Sequence, residues 1–436
     1  MKKNAFVSVL CGTLFAAAAV AAPSVQIQSV EVTPDVPHVV TVTYTLSEDA
    51  IVTASFLTNG VAIAGDALDT VYGDVNRKIA ATAAGEVRMI GWTPDASFEA
   101  QTLDASNVTA KLTAWTDDSP PDYLVVDLRI ASNVCYYASE DALPGKVTDK
   151  IYKEHLLVMR RIHAKNVRWV MGMSSNYWRT VTSGGREGPM ASFTNSWAHC
   201  VKLTHDYYIG VYPVTAAQND LIWSNTVTDD RSPKQWISYN GIRGSNEGAK
   251  WPQLDENGAF DPAASHAVDS TSWLGKFRAH TGLVWADLPT DAQLEFAERA
   301  GEKGLLPGGE DLTSANLSLY ARWEGNKNTP DCEGRVSGRA TVGSYLPNKW
   351  GLYDVLGNVM TWVLDYHSKW ATEGFDVNVD QVDPVGPATG TMRECRGSFN
   401  DSGLKWCFIG FRFYAYEPNM NSGYNGFRLA MTLYEK

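Results

Sequence analysis

The feature that most constrains the fold is the texture of residues 123–436, where Gly, Trp and Asn recur but periodic stretches are short and few. The whole chain of 436 residues has 15 Trp, 19 Tyr and 14 Phe. Such an aromatic load suits a loop-rich fold in which large side chains pin an irregular backbone. Two helices are predicted in this part. One covers Ser272 to His280, and the other begins after Thr290, which forms a capping box with Gln293.

Seven short motifs follow one another in a fixed order in the same part of the chain. They are residues 167–173 (VRWVMGM), 207–215 (YYIGVYPVT), 288–297 (LPTDAQLEFA), 342–354 (VGSYLPNKWGLYD), 357–363 (GNVMTWV), 396–399 (RGSF) and 426–430 (GFRLA). Each motif alone is a weak signal, whereas seven in order are specific. Together they resemble the formylglycine-generating enzyme family, also called the sulfatase-modifying factor family, over residues 155–436.

The resemblance implies the fold of that family, an irregular α+β domain similar to C-type lectins with little regular secondary structure. Most motif residues are then expected to be architectural. Gly351 and Gly357 are expected where the backbone needs a positive φ or a close approach. Arg428 is expected to be buried and satisfied by backbone carbonyls or by Asp354 and Asp365.

Residues 22–118 have a different pattern, in which apolar and polar residues alternate. The alternating runs predict strands at residues 25–32, 39–46, 50–56 and 108–115, with turn residues between them. Short strands at this spacing predict a small all-β sandwich of immunoglobulin-like type. A polar segment with two adjacent prolines follows, so residues 119–154 are predicted to form a linker and the first strand of the next domain.

Residues 1–21 have the pattern of a signal peptide. Lys2 and Lys3 precede an apolar run, and the run ends in a small-x-small cleavage pattern at residues 19–21. The run is shorter than the ~20 residues of a membrane span, and Cys11 lies too early in it for a lipoprotein. We therefore expect an exported protein, whether periplasmic, cell-surface or secreted.

Charge and composition exclude two further classes. The formal net charge is −12 and basic residues are not clustered, which argues against nucleic-acid binding. No later stretch is long and apolar enough to span a membrane. Since export permits disulfides and five is odd, at least one thiol of the mature chain is expected to be free or to pair outside it. The five cysteines are Cys135, Cys200, Cys332, Cys395 and Cys407.

In the family that the motifs resemble, activity is implied by two nearby cysteines that bind copper(I) and activate oxygen beside a substrate cysteine. Copper(I) prefers soft thiolate ligands. Here Cys407 falls at the second cysteine position, Asp401 or Ser402 holds the first, and Cys395 precedes the motif. Because hard oxygen donors do not replace a thiolate, we predict that copper-dependent oxidase activity is absent. Cys407 is then a buried thiol or a disulfide partner of Cys395.

Calcium is the structural cofactor that the resemblance implies, since family members hold it with the hard oxygen ligands that calcium favours. Asn316 and Asp331 match a first calcium site, and Asn358 matches a second. Thr361 stands where the second site has an acidic ligand, which removes a charge. The alternative is that Asn316 and Asn358 cap turns without a metal.

Three functions remain open. The first is a non-oxidase binding protein with a groove for a peptide, glycan or protein ligand, lined by Trp406, Tyr414, Tyr416 and Tyr424. The second is a copper-dependent formylglycine-generating oxidase that acts on exported sulfatases. The third is a variable receptor of the diversity-generating-retroelement type, whose variable surface would lie at residues 414–425, rich in Tyr, Asn and Ser.

Overall fold

A computed structural model describes residues 22–34, 37–94, 107–172, 198–309, 311–368, 379–412 and 414–434. The predicted signal peptide, residues 1–21, lies outside the described residues. Among the residues that are described, no helix has the length and apolar character needed to cross a membrane.

The N-terminal segment forms two sheets around one core. Its strands are β1 (Val25–Val32), β2 (Val40–Leu46), β3 (Ala50–Thr58), β4 (Val61–Ala62), β5 (Val71–Gly73), β6 (Arg77–Ile79), β7 (Arg88–Trp92) and β8 (Val108–Trp115). One sheet has the order β1-β2-β7-β5, and the other has β4-β3-β6 with β8 also paired to β3. The rings of Phe56 on β3 and Trp92 on β7 lie 4.7 Å apart and join the two sheets. The described part of this segment consists mainly of strands, with a short 3-10 helix (Gly65–Leu68), and its immunoglobulin-like type stays a prediction.

The second part of the chain contains three further sheets. Its strands are β9 (Tyr123–Asp127), β10 (Val134–Tyr137), β11 (Leu156–Ile162), β12 (Val167–Met171), β13 (His199–Leu203), β14 (Tyr207–Gly210), β15 (Ala286–Asp287), β16 (Met360–Tyr366), β17 (Gln381–Val382), β18 (Arg393–Arg396), β19 (Tyr414–Tyr416), β20 (Asn425–Gly426) and β21 (Ala430–Thr432). The six-stranded sheet has the order β10-β9-β11-β14-β21-β15. Two smaller sheets have the orders β12-β13-β17 and β19-β18-β16-β20.

Short helices connect these strands. They are α1 (Ile151–Glu154), α2 (Ala216–Ser224), α3 (Tyr239–Arg243), α4 (Pro262–Ser265), α5 (Trp273–Thr281), α6 (Asp291–Arg299) and α7 (Ser314–Tyr320). The two predicted helices are present as α5 and α6. The capping box of α6 is also confirmed, because the Thr290 hydroxyl accepts from the Gln293 N–H and the Gln293 carboxamide accepts from the Thr290 N–H. Helix α2 was not predicted from the sequence, and it buries Gln218 and Asn219 as well as apolar residues.

The segment between the two parts is held by the second part. The guanidinium of Arg161 donates to the carbonyl of Pro120 and lies 2.7 Å from a carboxylate oxygen of Asp206. The Tyr208 hydroxyl donates to the carbonyl of Pro121. Both prolines are buried, so the predicted linker is packed onto β11 and β14.

The architectural role predicted for Arg428 is confirmed. The side chain is 1% exposed, and its two terminal nitrogens donate to the backbone carbonyls of Gly210, Val211, Tyr353 and Asp354. Gly351 and Gly357 have φ values of 69° and 71°, which favour glycine. At Gly357 a Cβ would also lie 2.2 Å from the carbonyl oxygen of Arg322, so no larger residue fits.

A buried cluster of charged side chains joins α6 to the smaller sheet that contains β18. The Nε of Arg396 lies 3.1 Å from Asp291, and its Nη2 pairs with Glu295. Arg412 lies between Asp291, at 2.5 Å, and Glu394, at 3.3 Å. All five residues are at most 3% exposed. These ion pairs offset the large penalty for taking the charges out of water, and so they fix the position of α6.

Glu298, also on α6, gives a testable prediction about pH. Burial raises the pKa of its carboxyl from 4.5 to about 8. The folded state therefore keeps a proton that the unfolded state loses above pH ~4.5, so the free energy of unfolding falls as pH rises towards 8. Relative to the wild type, Glu298→Gln should gain stability between pH 5 and pH 9, on the order of a few kcal/mol. Urea unfolding at pH 5, 7 and 9 measures it.

The matched control for this prediction is Glu86→Gln, which removes an exposed carboxyl from the N-terminal segment. It should leave the pH profile of the wild type unchanged. A stability difference between Glu298→Gln and the wild type that stays constant from pH 5 to pH 9 would contradict the prediction.

Candidate functional site

The candidate site is built on the loop that follows β18. Gly397 has a φ of 75°, and the next residue, Ser398, accepts a hydrogen bond from the N–H of Gly357 at 2.9 Å. The N–H of Asn400 donates to the carbonyl of Asn358 at 3.1 Å. The loop is thus held against residues 357–358 of the fifth sequence motif, and this contact sets the direction of residues 398–412.

Cys407 lies inside a small apolar cluster under this loop. It is fully buried with Leu306, Leu317, Trp323 and Ile409. Its thiol donates weakly to the carbonyls of residues 402 and 403, at 3.6 and 3.5 Å. Burial raises the pKa of the Cys407 thiol to about 12, so the neutral thiol is the stable form.

The side chains of the other residues predicted around a metal site each have contacts of their own. Asp401 forms an ion pair with Lys327 at the surface, and the buried Ser402 hydroxyl accepts from the N–H of Phe399. Cys395 lies on β18 opposite Trp362, within a different core cluster, and burial raises the pKa of its thiol. No disulfide joins any of the five cysteines from Cys135 onwards, all of which are described.

This donor set does not fit copper(I), the ion that the fold family implies. A copper(I) site needs soft thiolates close together, whereas this loop offers one neutral, buried thiol and hard oxygen donors that already have partners. In the described ranges, no group of three or more His, Cys, Asp and Glu side chains is placed to hold a metal ion.

The side-chain oxygens of two predicted calcium ligands, Asp331 and Asn358, have backbone partners. The Asp331 carboxylate accepts from the N–H groups of residues 333, 335 and 341, and the Asn358 carboxamide oxygen accepts from the N–H of Ala340. The side-chain amide nitrogen of Asn316, which lies in the first turn of α7, donates to the backbone carbonyl of Asp311. These contacts correspond to the turn-capping alternative, and calcium binding stays a prediction.

Three aromatic residues near the loop form what we call the aromatic patch: Trp236, Phe399 and Tyr424. Tyr424 is 45% exposed and its ring lies 4.3 Å from that of Phe399. Trp236 is 59% exposed, and its indole covers Gly423, where a Cβ would come within 2.9 Å of the ring. Of the three, only Tyr424 was predicted from the sequence. Trp236 and Phe399 lie in other segments, and no local pattern marks them as neighbours of Tyr424.

The other residues of the predicted groove lie elsewhere. The half-buried Tyr416 packs edge-on against Trp362 at 6.1 Å, within the core. Trp406 packs against Phe411 at 5.5 Å. The side chain of Tyr414 lies outside the described residues. Tyr424 therefore remains as the exposed member of the described set.

Comparison with known proteins gives one family. A family profile described as a sulfatase-modifying factor enzyme 1-like domain matches residues 179–433. The formylglycine-generating enzyme of Thermomonospora curvata is 35% identical over 157 residues, 34% of this chain and 50% of that protein. The same enzyme of Streptomyces coelicolor is 33% identical over 173 residues, 38% of this chain and 52% of that protein. The chain thus spans about half the length of these curated relatives.

Two solved structures are also similar. Treponema denticola variable protein 1 has a TM-score of 0.43 and 21% identity, and the match covers 63% of this chain and 95% of that one. PvdO from Pseudomonas aeruginosa has a TM-score of 0.44 and 18% identity, with 63% and 94% covered.

The environment of the cysteines predicts their reactivity. Cys332 is exposed, so it should react within minutes with a thiol reagent at pH 8 in the native protein. Cys407 and Cys395 should react only after unfolding, because both thiols are buried and stay protonated. Mass spectrometry of alkylated peptides measures each thiol, and Cys332→Ser is the control for the fast phase. Native labelling of Cys407 as fast as that of Cys332 would overturn this picture of the site.

Proposed function

Because the chain belongs to the sulfatase-modifying factor family, we propose that it is an exported member that binds a ligand and does not catalyse formylglycine formation. The observation that carries the proposal is the environment of Cys407. In a copper oxidase this residue would be a thiolate with a second thiolate beside it, whereas here it is a neutral thiol in an apolar cluster.

The same position supports a structural role for Cys407. A free cysteine behaves as a small apolar residue when it is buried. Cys407 belongs to the same buried cluster as Leu306 and Ile409, and the carbonyls of residues 402 and 403 accept from its thiol. The buried Cys407 side chain therefore holds the loop 398–412 against the apolar cluster beneath it.

The aromatic patch supports a binding role. Soluble proteins seldom expose several large aromatic side chains together, and such patches mark interaction sites. Trp236 and Tyr424 present flat rings on two neighbouring segments, and the carbonyl of Ser422 accepts a hydrogen bond from the N–H of Trp236. Rings of this kind stack on sugars and pack on peptides at little entropic cost. The ligand is a peptide, a glycan or a protein.

Export is part of the proposal and is supported by the sequence of residues 1–21, with its basic start, apolar run and cleavage pattern. Cys332 is exposed and forms no disulfide bond with the other described cysteines.

An assay for formylglycine tests the loss of oxidase activity. The copper-treated protein is mixed in air with a Cys-x-Pro-x-Arg peptide, and mass spectrometry measures loss of sulfur and formation of an aldehyde. We expect no conversion, because Cys407 is the single thiol of the loop 398–412 and a copper(I) site needs soft thiolates close together. The formylglycine-generating enzyme of Thermomonospora curvata serves as the positive control. Conversion that disappears in Cys407→Ser would show that the protein is an oxidase.

Arrays of immobilised glycans and peptides test the binding role. Trp236→Ala and Tyr424→Ala should each weaken binding of the retained probes by about tenfold or more, since exposed aromatic anchors dominate such interfaces. The matched control is Trp223→Ala, which removes an indole that is 44% exposed on α2, where it lies under Lys276. Equal loss in all three variants, or no loss in either patch variant, would argue against the aromatic patch.

A further inference from the structure

A second concave surface lies beside the aromatic patch and has no role in the function proposed above. It is a cavity of about 480 Å³, which we call the Arg393 cavity. The residues that line it include Tyr239, Asn240, Asn246, Lys250, Tyr366 and Arg393. They come from α3 and the segment after it, from the end of β16 and from the start of β18.

Arg393 is a buried cation without a carboxylate partner in the described part of the chain. It is 2% exposed, and its hydrogen bonds there run from Nη1 to the carbonyls of Trp251 and Leu364, at 2.9 and 2.7 Å. Its Nε has no hydrogen-bond partner among the described residues. A buried charge is costly unless it is paired.

Three other buried arginines differ in this respect, whereas Arg322 and Arg428 also have no carboxylate partner among the described residues but are satisfied by four backbone carbonyls each. Arg243, Arg396 and Arg412 are each at most 3% exposed, and each is paired with a carboxylate. Arg243 lies near Arg393 across the Tyr239 ring, and Asp287 takes up its charge. The counter-charge for Arg393 is thus absent from the described residues, while its side chain lines an open cavity.

Two tyrosine rings hold the guanidinium in place. Its central carbon lies 3.4 Å from the centroid of the Tyr366 ring and 4.5 Å from that of Tyr239. Stacking of this kind fixes the plane of an arginine and leaves its edge for a planar anion. A carboxylate is such an anion, because its two oxygens match the fork of the guanidinium.

The rest of the wall is polar and favours a hydroxylated ligand. Asn240, Asn246, Ser245 and Thr391 line the cavity, and their amides and hydroxyls suit sugar hydroxyl groups. Lys250 adds a second cation. It pairs with Glu247 at 2.6 Å, but both side chains are more than half exposed, so the pair is weak and open to exchange. Glu417 is the acidic residue of the wall, and it can accept from hydroxyl groups.

The cavity and the aromatic patch are built on the same two segments. The N–H of Trp236 donates to the carbonyl of Ser422 at 3.0 Å, and the N–H of Asn240 donates to that of Pro418 at 2.8 Å. Since residues 236–240 and 418–422 run side by side, the patch lies near one end of the pair and the cavity near the other. One extended ligand can reach both.

From these observations we propose that the Arg393 cavity binds the carboxylate-bearing sugar of an acidic saccharide, with Arg393 and Lys250 as the two cations that bind the carboxylate. The inference rests on the binding role proposed above and specifies its ligand class. A saccharide fits better than a peptide C-terminus, because amide and hydroxyl side chains surround the cation where a peptide would place its last apolar or charged side chain.

Titration of the whole protein with small probes tests the proposal. Glucuronic acid, glucose and an N-acetylated dipeptide with a free carboxylate are each followed by ligand-observed NMR. Glucuronic acid should bind at least about tenfold more tightly than glucose, because the charge-assisted pair forms only with the acid. Equal affinity for glucose would overturn the role of the anion. Equal or tighter binding of the dipeptide would overturn the assignment to a saccharide.

Variants assign the binding to the cavity. Arg393→Gln and Lys250→Gln should weaken glucuronic acid binding by about tenfold and threefold, the buried cation contributing more than the exposed one. Lys303→Gln removes the same charge from a surface position that lines a different cavity, and it should leave the affinity unchanged. If Arg393→Gln does not fold, the test rests on Lys250→Gln. An affinity of that variant for glucuronic acid equal to the affinity of the wild type overturns the proposal.

The outcome separates this inference from the proposed function. If the arrays show ligands that depend on Tyr424 but glucuronic acid does not bind, the binding role stands and the saccharide site fails. Glucuronic acid binding that depends on Lys250 supports the cavity even where Trp236→Ala and Tyr424→Ala have no effect on the arrays.

Discussion

The pairing of Arg396 with Asp291 and Glu295 is the interaction on which the rest of the second domain depends. It joins the helix α6 to the strand β18 in the interior, where an ion without a partner costs several kcal/mol. Arg299 and Arg396 hold the pKa of Glu295 at about 2 despite its burial, so the carboxylate stays charged and paired. Hydrophobic contacts alone would let the helix shift along the sheet, whereas these ion pairs fix a single position of α6 relative to β18.

The alternation of β18 connects this cluster to both candidate sites. Successive side chains of a strand point to opposite faces. Glu394 and Arg396 face the charged cluster, and Cys395 lies in the large apolar core, while Arg393 meets the tyrosines of the cavity on the same side as Cys395. The strand then runs directly into the loop that carries Cys407. A four-residue strand therefore positions the cavity, the loop and, through Phe399, the aromatic patch.

Much of this fold could be predicted from the sequence, because several of its elements depend on interactions between residues close in the chain. The capping box at Thr290, the helix that follows Ser272 and the alternation of the first strands depend on neighbouring residues, so they are visible in the sequence. The site was less predictable because its parts meet only in the folded chain. Trp236 reaches Gly423 through a contact between distant segments, and the lack of a carboxylate partner for Arg393 among the described residues is visible only in the folded chain. The groove was predicted from aromatic residues close in sequence, and in the folded chain the partly buried Tyr416 packs against the core while Tyr424 is exposed.

The proposed change of function needs little change in structure. Cys407 occupies a closed apolar cluster, and neither the cluster of charges around Arg396 nor the carbonyl contacts of Arg428 involve a metal or a second thiol. The contacts that hold the fold therefore do not require a pair of thiols at this position. The loop 398–412 packs on the apolar cluster through Cys407, and through Phe399 it contacts the aromatic patch for which we propose the binding role.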